Sequence, residues 1–199
     1  SASANFGVVG SAGSDNMNLN IDRSSALTGD MTLSMGDGND SLGVARLKNG
    51  DSVDMGAGDD SIGLYATNSS GTPSYASLNL TKLDGGAGTD TLAFGSMGSQ
   101  GSTELTLTGG GATNFENIDG SGGDDIIRGD TGANVIRGDS GADTIYGGDG
   151  DDALGGWYFD PGTTASSFSD SSLKRNSTDS SRGGDDKLYG QAGNDLLVG

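Results

Sequence analysis

The chain reads as an all-β solenoid, and three observations predict it. From Gly120 to Gly155 four nine-residue units follow one another without a gap: GSGGDDIIR, GDTGANVIR, GDSGADTIY and GGDGDDALG. Each has Gly at its fourth position, Asp or Asn at its sixth and Ile or Leu at its eighth. No segment of the chain keeps a three-and-four apolar spacing, because Gly interrupts it, so no helix of any length is expected. The Gly-rich first six residues of a unit make a tight turn that uses positive-φ backbone, which Gly adopts at low cost. The last three make a short strand whose eighth residue points away from the side its neighbours face. One unit cannot bury its single aliphatic residue. Two turns and two strands close a coil of about eighteen residues, and stacked coils build a continuous core.

Residues 1–119 carry the same turn at wider spacing: GSAGSDNMN from Gly10, MGDGNDSLG from Met35, MGAGDDSIG from Met55 and GGAGTDTLA from Gly85. These starts lie 25, 20 and 30 residues apart, with 35 more to Gly120. They predict an irregular solenoid with one acidic turn per coil and an ordinary turn opposite, such as Lys48-Asn49-Gly50-Asp51 or Thr28-Gly29-Asp30. Longer coils carry loops at Thr67–Tyr75 and Gly95–Thr103. Alternation marks Met31-Thr32-Leu33, Leu78-Asn79-Leu80-Thr81 and Glu104-Leu105-Thr106-Leu107 as strands, with another at Ser52–Met55. Residues 120–199 form the regular array, interrupted by a loop at 156–180 that holds Trp157, Tyr158, Phe159 and Phe168. The array resumes as SRGGDDKLY and GQAGNDLLV. Because the break starts and ends on unit boundaries, the stack is expected to pass beneath the loop.

Composition narrows the function. Of 199 residues, 31% are hydrophobic and 6% aromatic, too few for a conventional globule of this length. With 39 Gly and a net charge of -18, an unpatterned chain would stay disordered. Here the acids stand at fixed places on turns, where stacked carboxylates repel unless cations join them. Disorder without metal and order with it are the expectation. Twenty-eight acids against 10 scattered bases leave no basic stripe for nucleic acid. No apolar run approaches the roughly twenty residues of a membrane helix, so no membrane insertion is expected. There is no Cys for a disulfide framework. There is no His, Cys or metal-hydrolase motif for catalysis, and the Asp, Tyr, Lys and Arg that a polysaccharide-acting β-helix could use are not clustered, so the reading is of a chain that is not an enzyme.

Over ten units the sixth position is Asp15, Asp40, Asp60, Asp90, Asp125, Asn134, Asp143, Asp152, Asp186 and Asp195. Calcium takes six to eight oxygens, from carboxylates, carbonyls and water, at about 2.3 to 2.6 Å. One turn offers a single carboxylate and a few carbonyls, so two stacked turns must share each ion. In the regular array this pairs Asp125 with Asp143 and Asn134 with Asp152; across the loop Asp143 continues to Asp186 and Asp152 to Asp195. In the first half Asp15, Asp40, Asp60, Asp90 and then Asp125 are expected to line one flank. Asn134 keeps an oxygen but loses the charge, which predicts a weaker site. Ser181, Arg182, Gln191, Met35 and Met55 replace turn glycines and place their sites' geometry or affinity in question. Asp149 to Asp152 lacks the twelfth-position Glu and flanking helices of an EF-hand.

The units GGxGxDx(aliphatic)x resemble the hemolysin-type calcium-binding nonapeptide of the RTX family. Asn114-Phe115-Glu116-Asn117-Ile118 resembles a lead-in often seen before such repeats. The resemblance implies a right-handed parallel β-roll with calcium between successive turns on each flank, about eight ions here. It implies carbonyl ligands from Ser121, Gly123, Gly138, Ser140, Asp130, Gly132, Gly147 and Asp149. It also implies a type I secreted bacterial protein, extracellular or at the cell surface, that folds on calcium outside the cell. A structural role in an adhesin or surface layer (S-layer), among like copies or neighbouring modules, is the first expectation. The alternatives are an accessory module of a secreted protease, lipase or polysaccharide epimerase, and a carbohydrate-binding module. The Trp157 loop is open to two readings, a glycan contact or a loop pinned to the roll by its own apolar residues.

Overall fold

The computed structural model describes residues 5–19, 29–45, 47, 50–65, 82–94, 103–107, 112–156 and 184–199. Among these are strands and turns without a helix. In chain order the strands are β1 (Phe6–Val9), β2 (Asn16–Leu19), β3 (Met31–Ser34), β4 (Ser41–Ala45), β5 (Ser52–Asp54), β6 (Ser61–Tyr65), β7 (Leu83–Asp84) and β8 (Thr91–Ala93). They continue as β9 (Glu104–Thr106), β10 (Asn117–Asp119), β11 (Ile126–Arg128), β12 (Val135–Arg137), β13 (Thr144–Asp149), β14 (Ala153–Gly155), β15 (Lys187–Ala192) and β16 (Leu196–Val198).

Each coil lays one strand on either side of the core, so odd and even strands sort into opposite sheets. The even strands form one eight-stranded sheet in the order β16-β14-β12-β10-β8-β6-β4-β2. The odd strands form two four-stranded sheets, β1-β3-β5-β7 and β15-β13-β11-β9. Parallel bridges from Asp84 to Thr113 and from Leu107 to Ala112 connect these two. The pairings are parallel throughout, as in β4 on β6 and β11 on β13. The fold is a parallel β-roll. Its long sheet passes through β8, β10 and β12 in unbroken register, joining the widely spaced coils to the regular array.

The core is two facing ladders of aliphatic side chains. Leu42, Ile62, Leu92, Ile118, Ile136 and Leu154 stack in register on the eight-stranded sheet, all fully or almost fully buried. Leu33, Val53 and Leu83 face them from one short sheet, and Leu105, Ile127 and Ile145 from the other. Each buried side chain contributes about 1.5 to 3 kcal/mol. A regular coil therefore needs only two aliphatic residues, which is how a chain so poor in apolar residues builds a continuous core. The wider coils need more filling. Val44, Leu64 and Phe94 take a second inward position, and Met35 and Met55 turn wholly inward from the first turn position. Methionine there serves the core, which answers why it replaces glycine.

The stack does run past the insertion: β13 pairs with β15 and β14 with β16. On the outer face the rings of Tyr146 and Tyr189 stack with centroids 4.8 Å apart, and the Arg128 guanidinium sits 4.8 Å from the centre of Tyr146. On the opposite sheet Arg137 forms an ion pair with Asp119 at 3.1 Å. The Leu78–Thr81 strand, the Thr67–Tyr75 loop, the aromatic cluster after Trp157, and Ser181 and Arg182 lie outside the described residues.

Candidate metal centre

The turns leading into the eight-stranded sheet stack on one flank, and those leading back stack on the other. On the first flank the sixth-position carboxylates form a ladder with a fixed rule: each accepts the backbone N–H of its counterpart one coil earlier. Asp15 donates to Asp40 Oδ1 at 2.7 Å, Asp40 to Asp60 at 2.7 Å and Asp60 to Asp90 at 2.8 Å. Farther along, Asn134 donates to Asp152 at 2.8 Å and Asp152 to Asp195 at 3.1 Å. On the second flank Thr103 donates to Asp125 at 2.5 Å, Asp125 to Asp143 at 2.9 Å and Asp143 to Asp186 at 3.0 Å. A side chain one methylene from the backbone spans the strand spacing of about 4.8 Å between coils, which Glu would overshoot in the same turn.

The expected first-half series is corrected at its last step. Asp90 is not followed by Asp125, which lies on the opposite flank; the Asp90 N–H donates to Glu116 Oε2 at 2.7 Å. Strand β9 is the reason. It adds a crossing between β8 and β10, so Glu116 ends the turn on the Asp90 side, while Asp125 follows β10 on the other. Glu116 is thus a ladder residue that the nonapeptide pattern does not mark. Asp51 is another: it is buried and accepts the N–H of Met31 at 2.8 Å, in a turn the sequence marks as ordinary.

The second carboxylate oxygen separates two kinds of rung. Asp15 and Asp125 direct Oδ2 to the N–H of Ser11 and Ser121, each at 2.6 Å. By contrast, Oδ2 of Asp40, Asp60, Asp90, Asp143 and Asp152 is buried with no hydrogen-bond partner among the described residues. A buried oxygen left without a donor costs about 1 to 3 kcal/mol, and more if charged. Oxygens of this kind, repeated in register on both flanks, suit a hard divalent cation.

The turn glycines make room for this arrangement. A Cβ at Gly120 would lie 2.7 Å from its own Asp125 Oδ2 and 2.5 Å from the Gly138 carbonyl of the next coil. At Gly147 it would overlap Asp152 Oδ2 and stand 2.9 Å from the Gly190 carbonyl. The first turn position is therefore a cradle where a carboxylate and the next coil's carbonyl converge. Position two takes positive φ even without glycine, as at Gln191 (φ 74) and Asp139 (φ 76), so Gln191 preserves the turn it occupies.

Main-chain groups around the turns are also laddered. The Ser121 carbonyl accepts the N–H of Ser140 at 3.3 Å and the Asp130 carbonyl that of Asp149 at 3.0 Å. Ser140 and Asp149 thus enter these rungs through their N–H groups. The carbonyls of Gly123 and Gly132 face Gly141 and Gly150 at 2.5 Å from where a Cβ would be, and that of Gly147 abuts Gly129. Among the described residues no three acidic or other metal-binding side chains converge on one point. A cation here would be held by carboxylates of neighbouring coils together with carbonyls.

Asn134 breaks the ladder. Its Oδ1 accepts the Asp130 N–H at 3.0 Å and its Nδ2 donates to the Phe115 carbonyl at 3.3 Å. An amide donor thus stands where an aspartate would present oxygen.

Burial sets the charge state. It pushes the Asp143 carboxyl up to about 7, with the N–H of Asp125 opposing and the charges of Asp125 and Asp186 adding. Asp90 and Asp152 are pushed up to about 6 for the same first reason. Asp60 and Asp125 are also raised by burial. Without a counter-ion, full ionisation of these stacks at neutral pH is unfavourable.

Glycine cradles, parallel strands and laddered carboxylates define a repeat-built β-roll with cation-type turns. Residues 82–96, 119–154 and 181–199 match the family model described as RTX calcium-binding nonapeptide repeat (4 copies). These three segments are similar to RTX calcium-binding nonapeptide repeats, in agreement with the resemblance read from the sequence. The same ladder reaches Asp15, Asp40 and Asp60, beyond the matched segments. No curated protein matches the chain.

Proposed function

We propose that this chain is a calcium-dependent folding module whose ions lie between successive turns on both flanks. The observation that supports it best is the set of five buried aspartates whose Oδ2 has no hydrogen-bond partner among the described residues, three of them in the matched repeats. Asp40, Asp60, Asp90, Asp143 and Asp152 are its principal ligands, with Asp15, Asp125, Asp186 and Asp195 closing the ladders and Asn134 marking a weak site. Carbonyls of the first turn position, such as Gly138 and Gly147, complete the shells. When bound, calcium supplies positive charge and oxygen coordination, and the work of this chain is to hold it and become ordered.

Binding free energy then becomes folding free energy. Where free calcium is low the carboxylates repel and the chain is open. At about 0.1 to 1 mM, the range of extracellular modules, the ladders fill and the coils stack. That dependence suits a type I secreted protein that crosses its channel unfolded and becomes a rigid segment outside. A structural place in an adhesin or surface layer fits the irregular coils and interrupting loop. The role is not catalytic.

A calcium titration of the whole chain, followed by far-ultraviolet circular dichroism and hydrodynamic radius with magnesium as control, tests this. A cooperative gain of β signal and compaction with calcium alone is expected. A chain already compact and β-rich in chelator at neutral pH contradicts it.

A further inference from the structure

We propose that Glu116 completes a cation site between the turn at 85–90 and the short turn at 114–116, where the repeat pattern is interrupted. The proposal rests on the calcium reading of the ladders above and assigns to the junction a site that the nonapeptide pattern leaves blank.

Three observations meet there. Glu116 Oε2 accepts the N–H of Asp90 at 2.7 Å, as Asp60 Oδ1 does for Asp40. The Asp90 side chain is 0% exposed, and its Oδ2 has no hydrogen-bond partner among the described residues. A Cβ at Gly85 would come within 2.9 Å of that Oδ2 and overlap the Asn114 carbonyl, so both oxygens line one cradle. At Gly120 and Gly147 the same cradle is formed by the sixth-position carboxylate and the first-position carbonyl of the following coil. Asn114 supplies that carbonyl from outside any nonapeptide.

The local sequence explains how three residues replace six. Asn114 takes φ 56, which turns the chain sharply, and its Nδ2 donates to Asp84 Oδ1 at 2.7 Å, tying the turn to the coil before it. Phe115 is buried and anchors the turn in the core. A shorter turn sets its backbone differently from the long ones, and the extra methylene of Glu restores the reach to the Asp90 N–H. Glu rather than Asp is what this geometry requires. A divalent cation of the calcium class would sit between Asp90 Oδ2, the Asn114 carbonyl and the Glu116 carboxylate. It would carry the first-flank ladder across the junction, ahead of the weak rung at Asn134.

The test counts calcium ions bound per chain, by equilibrium dialysis and by native mass spectrometry, for the unmodified chain, Glu116→Gln and Gly85→Ala. Glu116→Gln retains an acceptor for the Asp90 N–H and removes the charge. Gly85 does not use positive φ, so alanine acts by its overlap with the Asn114 carbonyl, and its loss of an ion counts only where its β signal in saturating calcium equals that of the unmodified chain. Each variant is expected to bind one ion fewer, or one ion at least tenfold more weakly. Should Glu116→Gln fail to regain β signal in saturating calcium, Glu116→Asp takes its place. That variant keeps the charge but draws it back, and the same loss is expected. Unchanged ion number and affinity in the charge variant and in Gly85→Ala overturns the proposal. An unmodified chain that binds no calcium refutes the broader reading instead.

Discussion

The carboxylate of Asp143 accepts the N–H of Asp125, eighteen residues earlier, at 2.9 Å, while its other oxygen is buried with no partner among the described residues. One oxygen thus ties two coils together, and the other is the one proposed to meet calcium. The two halves of this side chain predict opposite responses to calcium. Asp143→Asn should cost about 2 to 3 kcal/mol in urea denaturation at calcium a hundredfold above Kd, the value of one lost site. In chelator at neutral pH the same substitution should be neutral or raise the β signal, because a buried charge is removed. A loss of equal size in both conditions would mean that Asp143 serves structure alone.

Acidity should substitute in part for metal. Burial raises the carboxyls of Asp143 to about 7 and of Asp90 and Asp152 to about 6, above the unfolded value of 3.8. A raised carboxyl pKa favours the folded state when protonated, so its stabilising contribution is full below about 4 and is lost as pH rises through 6 to 7. In chelator, β signal should therefore grow as pH falls from 7.5 to 4.5. With calcium present, apparent affinity should weaken over the same fall, since protons compete for the same oxygens. Circular dichroism across that range reads both, and a flat metal-free profile counts against the buried stacks.

Asn134→Asp should mend the interrupted rung. It replaces the amide that donates to the Phe115 carbonyl with an oxygen, and calorimetry should show one site tightened by about tenfold or more, near 1.4 kcal/mol. Without calcium the new carboxylate faces a carbonyl and should disfavour order. Unaltered affinity would place no ion beside Asn134.

A second ladder, one residue before the first, should act without metal. Asn39 Oδ1 accepts the Asp59 N–H at 3.1 Å, and Asp59 Oδ1 accepts the Thr89 N–H at 2.9 Å, in exposed positions. These bonds run from earlier side chain to later backbone, opposite to the sixth-position rungs. Asn39→Ala should cost about 0.5 to 1.5 kcal/mol, by the same amount at every calcium concentration that supports folding. A cost that grows with calcium would make this residue part of a site.

The regular part of this architecture was legible because one period of nine encodes turn, laddered carboxylate and core together. Asp143, Ile145 and Gly141 recur in register with Asp125, Ile127 and Gly123, and the fold follows from stacking them. The flank assignment of Asp125 was not legible. Both flanks use the same turn, so only the number of crossings between Asp90 and Asp125 decides, and β9 adds one without a nonapeptide to announce it. Glu116 escaped because its turn has three residues and no glycine at the fourth position; its one signal was the buried Phe115 and Ile118 on either side. Asp51 escaped because Gly50-Asp51 reads as an ordinary turn until Met31 is stacked upon it.

The most direct test of the central claim is a crystal structure grown with calcium, with anomalous scattering used to locate the ions. Peaks should fall between stacked turns on both flanks, about 2.3 to 2.6 Å from Oδ2 of Asp40, Asp60, Asp90, Asp143 and Asp152. A folded roll whose difference map holds no peak beside these five oxygens would contradict the account.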